Sequence, residues 1–189
     1  MKKIMYCILV FLCSCGTSKP TNFYALTSTL KSDVDVVYSI KEKTVVVDPI
    51  LIPNYLQRAQ IVSKDADGIE VKIDEFNRWI EPLSDSTQRV VTENLSYYLP
   101  NSFVRNTISN RMPYDYRVSV EINKIDVQLG DKMVLSATWI VADKQKPLIK
   151  ERSVYEAKID KTYEDMAKKQ SEMLNELSKE ISQRMKKLK

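Results

Sequence analysis

The chain has 189 residues, with 29 Lys and Arg against 25 Asp and Glu, no histidine, three cysteines and three glycines. A net charge of +4 lacks the strong basic excess of a nucleic-acid binder. The absence of histidine excludes a Ser-His-Asp triad and any histidine-based zinc site, and so few glycines leave no phosphate-cradling loop.

The first segment, MKKIMYCILVFLCSCG, opens with Lys2 and Lys3, continues as an apolar stretch from Ile4 to Cys13, and closes on Leu12-Cys13-Ser14-Cys15. This is the layout of a secretory signal peptide. Its close resembles a bacterial lipobox, with Leu12 at −3, the small Ser14 at −1 and Cys15 as the lipidated residue. A membrane-spanning helix needs about 20 apolar residues, more than this stretch holds. Residues 1–14 are therefore read as the signal peptide and Cys15 as the lipidation site. In a Gram-negative cell, Gly16 at +2 in place of Asp resembles outer-membrane sorting. Removing residues 1–14 from 189 leaves 175, the size of one domain. Loss of Lys2 and Lys3 lowers the charge from +4 to +2. Cys7 and Cys13 leave with the leader and Cys15 is acylated, so the mature chain has no thiol for a disulfide, a metal or catalysis.

Residues 15–22 read as a lipidated tether, and residues 23–189 as a single domain. Phe23-Tyr24-Ala25-Leu26 forms a short strand, followed by an irregular stretch over 28–41. Thr44 to Val47 and Ile50 to Ile52 form an apolar, β-branched run predicted to be buried on both faces, with Pro49 at a bulge or a position needing no ladder donor. Pro53-Asn54-Tyr55-Leu56 makes a loop or one helical turn. Ile61-Val62 and Ile69-Val71-Ile73 form a hairpin around Asp-Gly, with Glu70, Lys72 and Asp74 facing out. Residues 83–99 carry helical periodicity, with Asp85 and Gln88 as a capping box and Ser84 as a competing cap.

An irregular stretch over 101–115 follows. Val118, Val120 and Ile122 share a face, then Ile125, Val127 and Leu129 do, so the parity change predicts a bulge near Asn123-Lys124. Gly130-Asp131 turns the chain into Met133-Leu135-Ala137-Trp139-Val141, and residues 153–159 complete an antiparallel meander. Residues 161–188 form one amphipathic helix, whose apolar stripe is expected to pack on the sheet. The expected fold is α/β (α+β): a mixed, mostly antiparallel sheet of five to six strands with two helices packed on one face.

Some motifs have bland readings. Ser63-x-Asp65-x-Asp67-Gly68 with Asp74 mimics part of a calcium loop, but flanking strands and a short Asp in place of Glu favour a turn. Trp139 reads as core. Trp79 reads as either an interface anchor or a structural corner. Pro53, Asn54, Tyr55 and Leu56, together with Trp79, are the candidate partner-contact residues. No carboxylate pair stands out as a catalytic acid and base, so no catalytic, cofactor-binding or metal-binding residue is assigned.

The ordered motifs resemble a known family. Val47-Asp48-Pro49-Ile50-Leu51-Ile52-Pro53-Asn54-Tyr55-Leu56, with Gln60-Ile61-Val62, is similar to its first signature. Asn77-Arg78-Trp79-Ile80-Glu81-Pro82-Leu83, with Asn94-Leu95 and Leu99-Pro100, is similar to its second, and Asp126 followed by Lys132 to Trp139 to its third. The lipobox with Phe23-Tyr24-Ala25-Leu26, and the helix after Tyr163-Glu164-Asp165-Met166, fit as well. These features resemble the PqiC-type lipoproteins, auxiliary components of ABC-type and MCE-type intermembrane transport systems. The resemblance implies a non-enzymatic, outer-membrane-anchored periplasmic lipoprotein without cofactors. Its implied partners are an MCE-domain tunnel protein and its membrane permease, with a homo-oligomeric ring as a further implication. The alternative is an envelope adapter for a secretion pore or a wall synthase.

Overall fold

The structure, a computed structural model, describes residues 19–30, 43–65, 67–107 and 113–188. The signal segment and Cys15 lie outside the described residues, as does most of the stretch read as irregular over 28–41.

Strands β1 (Asn22–Tyr24), β2 (Lys43–Val47), β3 (Gln60–Lys64) and β4 (Val71–Trp79) precede helix α1 (Leu83–Tyr98). Strands β5 (Ser102–Asn106), β6 (Tyr116–Gln128), β7 (Lys132–Ala142) and β8 (Pro147–Lys158) lead to helix α2 (Tyr163–Met185). They form two sheets, a five-stranded one in the order β5-β2-β6-β7-β8 and a three-stranded one in the order β1-β4-β3. The mixed α+β domain with its paired helices is as expected, but the strands divide between two sheets. The β3–β4 hairpin pairs with β1 and leaves the meander to β2, β5 and the helices. Long antiparallel ladders join β6, β7 and β8, whereas β2 pairs in parallel with both β5 and β6.

Periodicity explains the core. Met133, Leu135, Ala137, Trp139 and Val141 alternate along β7 and are fully buried. The Trp139 indole N–H donates to Ser153 Oγ at 3.0 Å, so its one polar atom is satisfied inside the core. From the helix side, Met166, Met173, Leu174, Leu177 and Ile181 of α2 and Val90, Val91 and Leu95 of α1 join the same cluster. The predicted bulge in β6 falls between Ile122 and Lys124, where the register with β7 shifts and keeps Ile125 and Val127 inward.

Four local expectations are corrected. Val45, Val46 and Val47 are all buried, but beyond Pro49 the run is buried on one side only, since Leu51 is exposed between buried Ile50 and Ile52. The Asp48 amide donates to Val118 O and the Leu51 amide to Val120 O, so the chain stays on β6 while passing Pro49, which has no donor. In α1 the capping box does not form. Pro82 is the N-cap, its carbonyl accepts from the amides of Asp85 and Ser86, and Gln88 Nε2 reaches across to Val47 O. Residues 102–106, read as irregular, are strand β5, held by parallel pairing to β2.

The fourth correction concerns the hairpin. Lys72 and Asp74 stand opposite Ser63 and Ile61, on the side facing the start of α2, where Asp74 accepts from the Tyr163 hydroxyl at 3.0 Å. Glu70 and Lys72 are exposed as expected, but Ile69, Val71 and Ile73 are exposed as well, while Val62, opposite Ile73, is buried.

Candidate functional site: a groove and the apolar face beside it

Two chain segments distant in sequence meet at the end of β4. The first turns through a single 3-10 turn, Asn54–Leu56, closed by the Leu56 amide on Pro53 O and the Gln57 amide on Asn54 O. The second is the corner from Trp79 into α1. They are joined where the Trp79 amide donates to Ala59 O at 2.7 Å. Between them lies a groove of about 370 Å³ whose lining includes Ile52, Gln57, Arg58, Trp79, Ile80 and Glu81. Trp79 and Leu83 are buried and form its floor, while Arg58 and Ile80 are exposed on its rim. Glu81 is fixed by Arg89 at 2.5 Å, and the same guanidinium donates to Leu26 O at 2.9 Å, which ties the corner to the segment following β1.

The candidate contact residues divide here. Trp79 lines the groove, whereas Pro53, Asn54, Tyr55 and Leu56 do not: Pro53 is half-buried, Asn54 and Tyr55 are exposed, and Leu56 belongs with Trp79 to the core. Trp79 is thus a structural corner that floors the groove. Arg58, Ile80 and Glu81 were not singled out in the sequence. Ile80 and Glu81 lie within the second family-like motif, whereas Arg58 falls between Leu56 and Gln60, outside the quoted residues of the first.

Beside the groove, the outer face of the three-stranded sheet is apolar. Phe23 is 58% exposed, Ile69 82%, Val71 49% and Phe76 40%. Asp74 Oδ1 accepts from the amides of Phe76 and Asn77, making a bulge at which the register jumps from Ile61↔Asp74 to Gln60↔Arg78. The bulge changes parity, so Val71 and Ile73 before it and Phe76, Arg78 and Ile80 after it share the outer face. Phe23, opposite Arg78, joins them, while Tyr24 and Trp79 turn inward. Arg78 on this face pairs with Glu75 at 3.2 Å, and at the rim Lys64 shares Asp126, at 2.7 Å, with Lys124 at 3.1 Å.

A second concavity, about 390 Å³, opens between the hairpin and α2 and includes Ser63, Lys72, Asp65, Asp74, Asp131 and Tyr163 in its lining. It contains the calcium-like motif, and two of its carboxylates are engaged within the chain. Asp65 Oδ1 accepts from the amides of Ile69 and Glu70, and Gly68 supplies the turn with φ +73°. Burial works to raise the Asp74 carboxyl, yet the Phe76 and Asn77 amides, the Asn77 side chain and Tyr163 hold it below the usual carboxylate range. Burial, reinforced by that same bond to Asp74, pushes the Tyr163 hydroxyl up to about 12. This arrangement fastens the start of α2 to β4 and leaves neither Asp74 nor Tyr163 poised for proton transfer near neutral pH. Among the described residues no group of His, Cys, Asp and Glu is placed to hold a metal ion, and no helix is long and apolar enough to cross a membrane.

Comparison with known proteins places this architecture. The chain is similar to a crystal structure of a protein described as uncharacterized, with a TM-score of 0.73 and 20% identity over 88% of this chain and 99% of the other. It is also similar to protein XCC0632 from Xanthomonas campestris, with a TM-score of 0.67 and 11% identity over 85% and 92% of the two chains. At these identities the likeness concerns the fold. No curated protein matches the sequence. The family model of the ABC-type transport auxiliary lipoprotein component matches residues 24–182, a span that includes both groove walls, both sheets' described strands from Tyr24 onward and nearly all of α2, and the chain belongs to that family.

Proposed function

We propose that this lipoprotein is held at the periplasmic face of the outer membrane by acylated Cys15 and acts there as the docking subunit of an MCE-type intermembrane lipid transport system. It positions the periplasmic end of an MCE-domain tunnel protein, whose permease sits in the opposite membrane, and performs no chemistry of its own. Family membership makes it an auxiliary component of a transport system and a membrane-associated envelope lipoprotein. The outer-membrane address, the MCE partner and the absence of catalysis are the further steps. They are supported by Gly16 after Cys15, by the resemblance of the ordered motifs, and by a sequence without histidine whose only mature thiol is the acylated one.

The observation that carries the docking role is the groove. Its two walls are segments 52–59 and 79–84, of which Ile52 and Trp79 to Leu83 lie within the family-like motifs, pinned together by the Trp79–Ala59 hydrogen bond and braced by the Glu81–Arg89 pair. A rigid floor of buried Trp79 and Leu83 with an exposed rim of Arg58 and Ile80 has the make-up of a protein-binding patch, an aromatic floor with polar edges. The anchor makes encounter two-dimensional and raises the local concentration of the partner.

Purification of the lipidated chain from mildly solubilised membranes tests this. The expected result is enrichment of an MCE-domain subunit and its permease, reduced by Ile80→Asp and Arg58→Glu on the groove rim. A preparation that enriches no MCE subunit overturns the reading. Enrichment of a secretion-pore or wall-synthase subunit in its place favours the alternative adapter role.

A further inference from the structure

We infer that the outer face of the three-stranded sheet lies on the lipid surface to which the chain is anchored, with Phe23, Ile69, Val71, Ile73 and Phe76 seated among the headgroups and upper acyl chains. The inference rests on acylation of Cys15 and goes beyond the docking role, since it gives the domain an orientation on the membrane.

Three observations carry it. The first is apolar surface on one face of one small sheet, where a soluble domain ordinarily covers such a cluster. The second is the reach of the tether. Six residues separate Cys15 from Asn22, the first residue of β1, and the seven steps between them span about 25 Å when fully extended. β1 is an edge strand of this same sheet, and β4 lies beside it at an interstrand spacing of about 5 Å. The apolar face is therefore part of the structure nearest the acyl chains. The third is charge. Arg78, which shares the face, is paired with Glu75, and Lys64 shares Asp126 with Lys124, so the charge beside the face is largely compensated and the contact it offers a lipid surface is mainly apolar. Phe is at home at the apolar side of an interface, and a sheet face carrying two of them with branched aliphatic residues suits shallow insertion.

The test uses the full mature chain, lipidated, in vesicles of phosphatidylethanolamine and phosphatidylglycerol. Because Cys15 is the only cysteine after processing, Val71→Cys, Phe76→Cys and, on exposed β8, Val154→Cys each accept a single environment-sensitive fluorophore. All three positions are exposed, and circular dichroism confirms that the fold is kept. The expected result is several-fold stronger quenching by lipids brominated high in the acyl chain at positions 71 and 76 than at 154, unchanged in high salt because the contact is apolar.

Equal, weak quenching at all three positions on an acylated chain overturns this proposal and leaves the anchor standing. A mass spectrum showing unmodified Cys15 overturns the anchor and the proposal together. Shielding at 71 and 76 that persists in detergent and rises with protein concentration assigns the face to a second copy of the chain. Shielding that arises only when solubilised envelope proteins are added assigns it to a protein partner. Either result overturns the lipid contact.

Discussion

The two sheets of this protein are built from similar sequence and end in different environments. Along β7 the residues Met133, Leu135, Ala137, Trp139 and Val141 alternate with Val134, Ser136, Thr138 and Ile140 and are fully buried. Along the hairpin arm into β4, Ile69, Val71 and Ile73 alternate just as regularly, yet all are exposed. The difference lies in what covers them. Helices α1 and α2 pack together over the five-stranded sheet and close its core. The small sheet meets α2 only on its inner side, through Tyr163 against Asp74 and Tyr24. Alternation selects a face, but only a second layer buries it. Both sheets feed the core, the small one through Ile61, Val62 and Trp79, but only the small sheet keeps exposed apolar residues on its other face.

The largest expected effect lies in the covered sheet. Trp139→Ala removes a fully buried indole and orphans Ser153, and is expected to cost about 3–5 kcal/mol in urea unfolding. Gly130→Ala comes next. Gly130 sits at φ +82° in the β6–β7 turn, and an added Cβ would meet Lys161 Cγ at 2.6 Å. The lysine side chain can move aside, but the left-handed backbone remains, for an expected loss of about 1–2 kcal/mol.

Tyr163→Phe probes the seam between the two sheets. It deletes the hydrogen bond to Asp74 and is expected to cost about 1 kcal/mol. It also changes the pH profile. The native Tyr163 hydroxyl ionises at about 12 and its unfolded form near 10.0, so the stability it confers is complete below about pH 10 and is lost as pH rises toward 12. The variant is expected to lack that alkaline loss. Asp74 and Asp126 act at the other end. Both are held below the ordinary carboxylate value, burial being outweighed for Asp126 by Lys64 and Lys124, so their contribution is present above pH 3.8 and disappears as pH falls through their lower native values. The smallest effect belongs to the exposed sheet. Val71→Ser is expected to change stability by less than about 0.5 kcal/mol, against the several kcal/mol of Trp139→Ala. A large loss from Val71→Ser would show that this outer face is part of the core after all.

What sequence reveals of such a molecule follows from range. The β6 bulge, the fully buried Trp139, the Asp-Gly turn and the stripe of α2 are written in periods of two or about three and a half residues, and each is where those periods place it. β5 was hidden because five residues with Phe103 exposed carry little pattern, and its strand character comes from parallel pairing with β2, more than fifty residues earlier in the chain. The cap of α1 was misplaced because Ser84 and Asp85 are good capping residues one or two positions inside a helix that starts from Pro82 O. The groove was half legible. The wall from Trp79 to Leu83 lies within a motif, but its meeting with residues 57–59 depends on the Trp79–Ala59 bond, and Arg58 and Ile80 gain their place only from that closure. Exposure of the hairpin face could not be read at all, since alternation looks the same whether or not a second layer covers it.

The docking role is tested most directly by a photo-crosslinking residue placed at Arg58 on the groove rim and, as a control, at Val154 on β8, in the lipidated chain within intact cells. The account predicts a crosslink from position 58 to an MCE-domain transport subunit and none from position 154. An equal yield from both positions, or a position 58 that captures no transport subunit, would contradict it.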